Sequence, residues 1–154
     1  MLATEVLKRN HRAILELFDL YQRVGRGEHR KKKELFDRIR RAVRTHLSLE
    51  EEMLYPAMTR KPTPEAGRSL DGVLQEHLLI DDLLTSLSAL RPQDGDFDSR
   101  IAGLRRAVED HLLMEQRGPY VEIQRALKRR ALEKLGAQIS ARIDLLSRVA
   151  FPLS

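Results

Sequence analysis

The stretch RTHLSLEEEMLYP, residues 44–56, continues an amphipathic helical pattern but places two ionisable side chains on its apolar face. Followed back along the chain, this face recurs in steps of three and four residues, which keep side chains on one side of an α-helix. Its members are Phe36, Ile39, Val43, His46, Glu50 and Met53. A histidine and a glutamate therefore stand where buried leucines are expected.

Length and composition restrict the classes of protein to which the chain can belong. Its 154 residues suffice for one domain with a hydrophobic core, and 42 % hydrophobic with 33 % charged residues is typical of a soluble, helix-rich protein. The absence of cysteine excludes disulfides, cysteine-ligated iron–sulfur clusters and thiolate zinc sites. No signal-like segment and no apolar run of about 18 residues occurs, so we expect a cytoplasmic protein that does not enter a membrane.

The net charge of +5 raises the question of nucleic-acid binding. Basic residues cluster at 29–33 and 128–130, but the sequence has no zinc finger, no glycine-rich phosphate loop and no aromatic stacking platform. These charges fit solvated helix surfaces better, and we do not expect a nucleic-acid partner.

Helix-breaking residues divide the chain into five predicted helices, with no convincing strand pattern. The helices cover residues 4–24, 28–58, 64–91, about 98–117 and most of the chain from 119 to 149. The predicted N-caps are Thr4, Thr63 ahead of Pro64, and either Asp96 or Asp98. Because the connections are short, neighbouring helices should pack antiparallel.

The first four helices contain an internal repeat that includes ionisable residues. A shift of 65 residues matches the second helix to the fourth, and a shift of 66 matches the first to the third. Each helical hairpin carries one histidine on its first helix and a His-x-x-x-Glu pair on its second. These residues are His11, His46 and Glu50 in the first hairpin and His77, His111 and Glu115 in the second.

Six inward-facing ionisable groups are most simply explained by a bound metal. An unpaired buried carboxylate costs several kcal/mol, and a buried imidazole needs hydrogen-bond partners. Neutral imidazole and carboxylate are ligands for first-row metals, and residues four apart on a helix project side by side. Ferritin-like di-iron bundles use a Glu-x-x-His pair, which is absent here. The remaining alternative is a metal-free bundle in which the six groups satisfy one another.

These residues resemble the hemerythrin-like, or HHE cation-binding, domain over about residues 4–118. The resemblance rests on His11, His46-x-x-x-Glu50-Glu51 with Leu54-Tyr55-Pro56, Glu76-His77 and His111-x-x-x-Glu115. It implies an all-α, antiparallel up-down-up-down four-helix bundle around a non-haem di-iron centre. It further implies that His11 and His46 bind one iron, that His77 and His111 bind the other, and that Glu50 and Glu115 bridge them with an oxo or hydroxo group.

The sequence departs from oxygen-carrying members of this family at two places. Those members have a fifth histidine where this chain has Asp81, which is either a further ligand or a solvated residue at the helix edge. After Glu115 the chain reaches Gly118-Pro119 within one turn, so we expect a looser centre on that side.

The segment 119–154 is additional to the bundle of residues 1–118, and we assign it to the same domain. Its predicted helix has an apolar stripe that either packs on its own bundle or forms a homodimer seam. The stripe consists of Leu132, Leu135, Ile139, Ile143, Leu146 and Val149.

The leading functional hypothesis is a di-iron protein that binds or processes oxygen, peroxide or nitric oxide, or that handles iron. If it is an enzyme, it is an oxidoreductase acting on one of these molecules, with no catalytic residue assigned beyond the metal ligands. The alternative is a non-enzymatic sensor of oxygen, redox state or iron that regulates a partner.

Overall fold

The computed structural model describes residues 1–59 and 64–150, and within these ranges the regular structure is entirely helical. The elements are α1 (Ala3–Gln22), α2 (His29–Leu49), a π-helical turn (Glu50–Leu54), α3 (Tyr55–Thr59), α4 (Pro64–Ser88), α5 (Phe97–Arg117), α6 (Pro119–Ala126) and α7 (Arg129–Ala150). Within these ranges, no helix combines the length and the apolar character needed to cross a membrane. The predicted all-α class is confirmed.

Helices α1, α2, α4 and α5 form an antiparallel bundle. Along α2 and α4 the contacts run in opposite directions, since Arg40 reaches Ser88 at 3.2 Å while Arg44, one turn later, reaches Asp81 at 3.1 Å. At one end of the bundle, Tyr21 in the last turn of α1 donates a 2.6 Å hydrogen bond to Asp98 in the first turn of α5. The predicted up-down-up-down arrangement is therefore confirmed.

The buried apolar residues form two clusters along the bundle axis. One cluster lies at the end that holds the α1–α2 and α4–α5 connections. It includes Ile14, Phe18, Phe36, Ile39, Val43, Leu84, Phe97, Leu104 and Val108. The other lies at the opposite end and includes Leu7, Leu49, Leu54, Val73, Tyr120, Ile123, Leu132 and Ile139. The inward-facing histidines and glutamates lie between these clusters.

The prediction of a single helix after residue 118 is wrong, because this segment forms the two helices α6 and α7. Between α6 and α7, Leu127 adopts an extended backbone (φ −110°, ψ 144°). The sequence has neither glycine nor proline there, so local pattern gave no sign of the break. The change of direction buries Ile123 of α6 and Leu132, Leu135 and Ile139 of α7 in the same cluster.

Helix α7 packs on its own bundle through the first half of its apolar stripe. Leu135 and Ile139 are buried against α1, and the backbone of Gly136 lies so close to Met1 and Ala3 that a Cβ there would collide with main-chain atoms. The second half of the stripe is less buried, with Leu146 36 % exposed. The side chain of Val149 lies outside the described residues.

One of the predicted caps is wrong, and another is confirmed in its position. Thr4 lies inside α1 rather than at its cap, and its hydroxyl accepts a 2.6 Å hydrogen bond from the amide of Gln124 in α6. Asp96 occupies the cap position of α5 without a capping side-chain bond, while Asp98 binds the buried Lys32 at 2.9 Å. The third predicted cap, Thr63, lies outside the described residues.

Candidate metal centre

Six polar side chains meet between the two apolar clusters, and each of them is at most 3 % exposed. α1 and α4 supply one histidine each, and α2 with its π-helical turn and α5 supply a histidine and a glutamate each. These are the residues of the internal repeat, namely His11, His46, Glu50, His77, His111 and Glu115. The apolar periodicity of each helix carries these groups into the core in place of leucines.

The six side chains form two groups that share both glutamates. In each group the potential ligand atoms lie within 4.8 Å of one another. Glu115 turns its Oε2 toward His11 Nε2 at 3.8 Å and its Oε1 toward His77 Nε2 at 3.4 Å. Glu50 Oε1 lies 3.2 Å from His46 Nε2 and 3.4 Å from His77 Nε2. Each carboxylate therefore faces both histidine pairs, as a bridging ligand must.

Several of these buried polar atoms lack a hydrogen bond among the described residues. They are Glu50 Oε1, Glu115 Oε2 and His111 Nε2. A buried acceptor or donor without a partner costs about 1–3 kcal/mol. All three atoms face the centre of the group, where a cation would satisfy them together. The donor set therefore fits a pair of cations with nitrogen and carboxylate ligands.

The π-helical turn at Glu50–Leu54 allows two consecutive glutamates to serve the centre. In a regular α-helix, neighbouring residues point about 100° apart. Here the widened turn directs Glu50 into the core while Glu51 Oε1 lies 3.0 Å from Nδ1 of His77. π-Helical turns are frequent at functional sites. The run Glu50-Glu51-Glu52 does not predict such a turn from the sequence.

Each of the four histidines is held from behind by a polar side chain at its Nδ1. A bond of this kind fixes the ring so that Nε2 points at the centre. The pairs are Gln116–His11 at 3.3 Å, Asn10–His46 at 2.8 Å, Glu51–His77 at 3.0 Å and Glu76–His111 at 2.7 Å. These partners obey the same internal repeat as the histidines, because residues 10 and 76 differ by 66 and residues 51 and 116 by 65.

A tyrosine absent from the predicted site contacts one half of the centre. Tyr120, 1 % exposed on α6, donates a 2.8 Å hydrogen bond to Glu50 Oε2 and lies 2.9 Å from His11 Nε2. Burial, together with the negative charges of Glu50 and Glu115, raises the pKa of Tyr120, so its hydroxyl remains protonated and acts as a donor. The break at Gly118, expected to loosen this side, instead turns α6 inward and brings this phenol to the centre.

Tyr55 is the counterpart of Tyr120 in the first hairpin. Its hydroxyl lies 3.3 Å from His77 Nε2 and 3.5 Å from Glu115 Oε1, longer than the contacts of Tyr120. Tyr55 follows Glu50 by five residues, and Tyr120 follows Glu115 by the same number. The 65-residue repeat therefore continues past the glutamates and predicts Tyr120 from the sequence. The same continuation predicts Gln116.

The buried charges shift the histidine pKa values in opposite directions. Burial, and then the neighbouring His46, lower the pKa of His11 to about 2. Burial also opposes protonation of His46 and His77, but carboxylates outweigh it and raise their pKa values to about 9 and about 10. Burial raises the pKa of Glu50, whereas hydrogen bonds from Glu50 and the histidines overcome burial and lower that of Glu115. Without a cation, the centre therefore holds protons that a metal would displace.

Asp81, the further candidate ligand, is not part of either group. Its side chain is 52 % exposed and pairs with Arg44 of α2 at 3.1 Å. His29, the one histidine outside the repeat, is the first residue of α2 and is exposed. The structure thus brings together the six residues of the repeat and leaves Asp81 at the surface.

Comparisons with known proteins agree with this geometry. The family model of the hemerythrin HHE cation-binding domain matches residues 2–118. The chain is similar to the crystal structure of a hemerythrin HHE cation-binding domain-containing protein from Mycobacterium kansasii. The TM-score is 0.81 with 22 % identity, over 99 % of this chain and 94 % of that one. No curated protein matches the chain.

The fold and its buried histidine–glutamate centre define a helical cation-binding bundle. The chain belongs to the hemerythrin HHE cation-binding domain family.

Proposed function

We propose that this protein holds two iron ions at the bundle centre and uses them to bind or process a small ligand. The observation that carries the proposal is the pair of buried histidine groups that share two glutamates. His11 and His46 would hold one ion, His77 and His111 the other, and Glu50 and Glu115 would bridge them. Asp81 is left out of the proposed set because of its exposure and its pairing with Arg44.

The protein's own residues fix the ligands and keep the centre dry. The four Nδ1 partners orient the imidazoles, and Tyr120 holds Glu50 Oε2 through its hydroxyl. Apolar clusters close both ends, with Leu54 and Leu104 each 0 % exposed. When bound, an iron pair would supply redox chemistry and open positions for a ligand.

The tight enclosure of the centre supports a small ligand. Because none of the six proposed ligand residues exceeds 3 % exposure, a large organic substrate could not reach them without repacking the bundle. Oxygen, peroxide and nitric oxide are small enough to pass between packed side chains. An oxidoreductase acting on one of these molecules is the enzymatic form of the proposal.

Metal analysis of histidine variants tests the ligand assignment. Wild-type protein loaded with ferrous iron under anaerobic conditions should retain about two ions per chain after desalting. His46→Ala and His111→Ala should lower the iron content sharply, whereas His29→Ala, at an exposed position, should retain it. Equal iron content in all four proteins would refute the assignment.

The second candidate, a sensor that signals through its C-terminal helices, is favoured by one specific contact. Tyr120 binds the proposed bridging residue Glu50 and lies on α6, which leads directly into α7. A change at the centre that moved Glu50 would therefore reach α6. Peroxide or nitric oxide turnover by the iron-loaded protein would favour the enzyme. A change in protease accessibility of residues 119–150 with iron oxidation state, without turnover, would favour the sensor.

A further inference from the structure

The two halves of the centre differ in the chemistry that supports their histidines. We define the carboxylate-backed position as His77 and His111, whose Nδ1 atoms face Glu51 and Glu76 at 3.0 and 2.7 Å. The amide-backed position consists of His46 and His11, whose Nδ1 atoms face the side chains of Asn10 and Gln116 at 2.8 and 3.3 Å. The internal repeat places these partners at equivalent sites, so the difference is one of residue type rather than of architecture.

We propose that the two metal positions are unequal, and that the carboxylate-backed position binds the first divalent cation and binds it more tightly. This inference rests on the proposed metal centre and adds an order of filling to it. Four residues that touch no metal would set that order, namely Asn10, Glu51, Glu76 and Gln116.

The first reason is the ring tautomer. An ionised carboxylate can only accept a hydrogen bond, so Glu51 and Glu76 require a hydrogen on Nδ1 of their histidines. That leaves Nε2, the atom that faces the centre, as the nitrogen whose lone pair a metal can use. At the amide-backed position the tautomer differs for one histidine. The amide nitrogen of Gln116, a donor, faces Nδ1 of His11, an arrangement that leaves the ring hydrogen on Nε2. The oxygen of Asn10, by contrast, accepts from Nδ1 of His46 as a carboxylate would.

The second reason is charge. An imidazole hydrogen-bonded to a carboxylate is a stronger base, and such partners typically change metal affinity 10- to 100-fold. Glu51 and Glu76 also add negative charge close to the carboxylate-backed position, although their exposure of 45 % and 38 % screens part of it. At the amide-backed position the partners Asn10 and Gln116 carry no charge, and Lys8 adds only a small positive contribution at His11.

The third reason is the contact made by Tyr120. Its hydroxyl lies 2.9 Å from His11 Nε2, and His11 Nε2 itself lies 2.8 Å from His46 Nε2. The amide-backed histidines thus hydrogen-bond to each other and to a phenol through the nitrogens that a cation needs. At the carboxylate-backed position, His111 Nε2 contacts Glu115 Oε1, a carboxylate that is itself a proposed ligand. The phenol on that side, Tyr55, lies 3.3 Å from His77 Nε2, a longer contact than that of Tyr120.

A cobalt titration of the metal-free full-length chain tests the inference. Co²⁺ added anaerobically and followed by calorimetry and visible absorption should bind in two steps whose constants differ at least about tenfold. His111→Ala should remove the tighter step and His46→Ala the weaker one. Glu51→Gln should weaken the tighter step about 10- to 100-fold and leave the weaker one unchanged, which a general loosening of the bundle would not do.

Glu52→Gln is the matched control, because it removes the same charge from the neighbouring residue. Glu52 is 61 % exposed and binds Arg142 at 3.0 Å rather than a histidine, so neither step should change. In the reverse direction, Asn10→Asp should strengthen the weaker step. Two cobalt ions with equal constants, or equal effects of Glu51→Gln and Glu52→Gln, would overturn the unequal positions and leave the proposed centre intact. No cobalt binding by the wild type would instead overturn the proposed function.

Discussion

Tyr120 gives a quantitative prediction because the internal repeat supplies its own comparison. Tyr120→Phe removes the hydroxyl that donates to Glu50 Oε2 at 2.8 Å inside the core. Leaving that buried oxygen without a partner costs about 1–3 kcal/mol. Tyr55→Phe deletes contacts of 3.3 and 3.5 Å, at the edge of hydrogen-bonding distance, and should cost less than about 1 kcal/mol. Neither change leaves a large cavity, since only one oxygen is removed.

Urea unfolding of the metal-free protein at pH 7, followed by circular dichroism, measures both losses without interference from metal binding. At roughly 2–4 °C per kcal/mol for a chain of this size, Tyr120→Phe should also lower the melting temperature by about 2–12 °C. Equal losses for the two variants, or a larger loss for Tyr55→Phe, would show that the hydroxyl of Tyr120 does not support Glu50 as described.

Three further predictions concern pH, a buried lysine and a helix contact. Because the pKa values of His46 and His77 are raised from 6.5 to about 9 and about 10, the stability that they add is full below about pH 6.5 and is lost as pH rises to 10. The free energy of unfolding of the metal-free protein should therefore fall between pH 6.5 and 9.5, while metal affinity rises. Asp98→Ala leaves Lys32 buried without its carboxylate and should cost about 1 kcal/mol in urea unfolding, limited by the exposure of Asp98. Gly136→Ala places a methyl group against the N-terminal backbone and should cost about 1–3 kcal/mol in the same assay.

Each of these predictions has a control. His11, with a pKa lowered to about 2, should remain neutral in an NMR titration between pH 6.5 and 9.5. A metal-free protein whose free energy of unfolding is constant or rises up to pH 9.5 would contradict the pH prediction. Asp96→Ala removes an exposed ion pair with Arg100 and should have a smaller effect than Asp98→Ala. Gly103→Ala, in α5 with open space around it, should be neutral or stabilising, so equal losses at both glycines would refute the close contact at α7.

The helices of the bundle follow from the sequence because amphipathic periodicity and breakers act locally. The apolar faces that include His46 and His111 predicted which side of each helix is buried, and glycine and proline marked most of the helix ends. The break at Leu127 has neither glycine nor proline to mark it. It depends instead on how α6 and α7 pack on the rest of the chain. The π-helical turn after Leu49 likewise has no glycine or proline to mark it in the sequence.

The six central residues could be predicted because repeated ionisable groups on an apolar face are unusual. Their supporting partners were harder to find. Asn10 and Gln116 are ordinary polar residues that the repeat aligns with Glu76 and Glu51. The geometry then shows that they stand behind His46 and His11. Tyr120 looked unrelated because Gly118 interrupts the helix that carries the repeat, although its spacing from Glu115 repeats that of Tyr55 from Glu50.

The central claim is that two iron ions share Glu50 and Glu115 as bridging ligands. Mössbauer spectroscopy of the ⁵⁷Fe-loaded, oxidised protein tests it most directly, because it separates coupled from isolated ferric ions. Shared bridging ligands predict about two irons per chain in one antiferromagnetically coupled pair, diamagnetic at low temperature. Magnetically isolated ferric ions, or a single ion per chain in fully loaded protein, would contradict the claim.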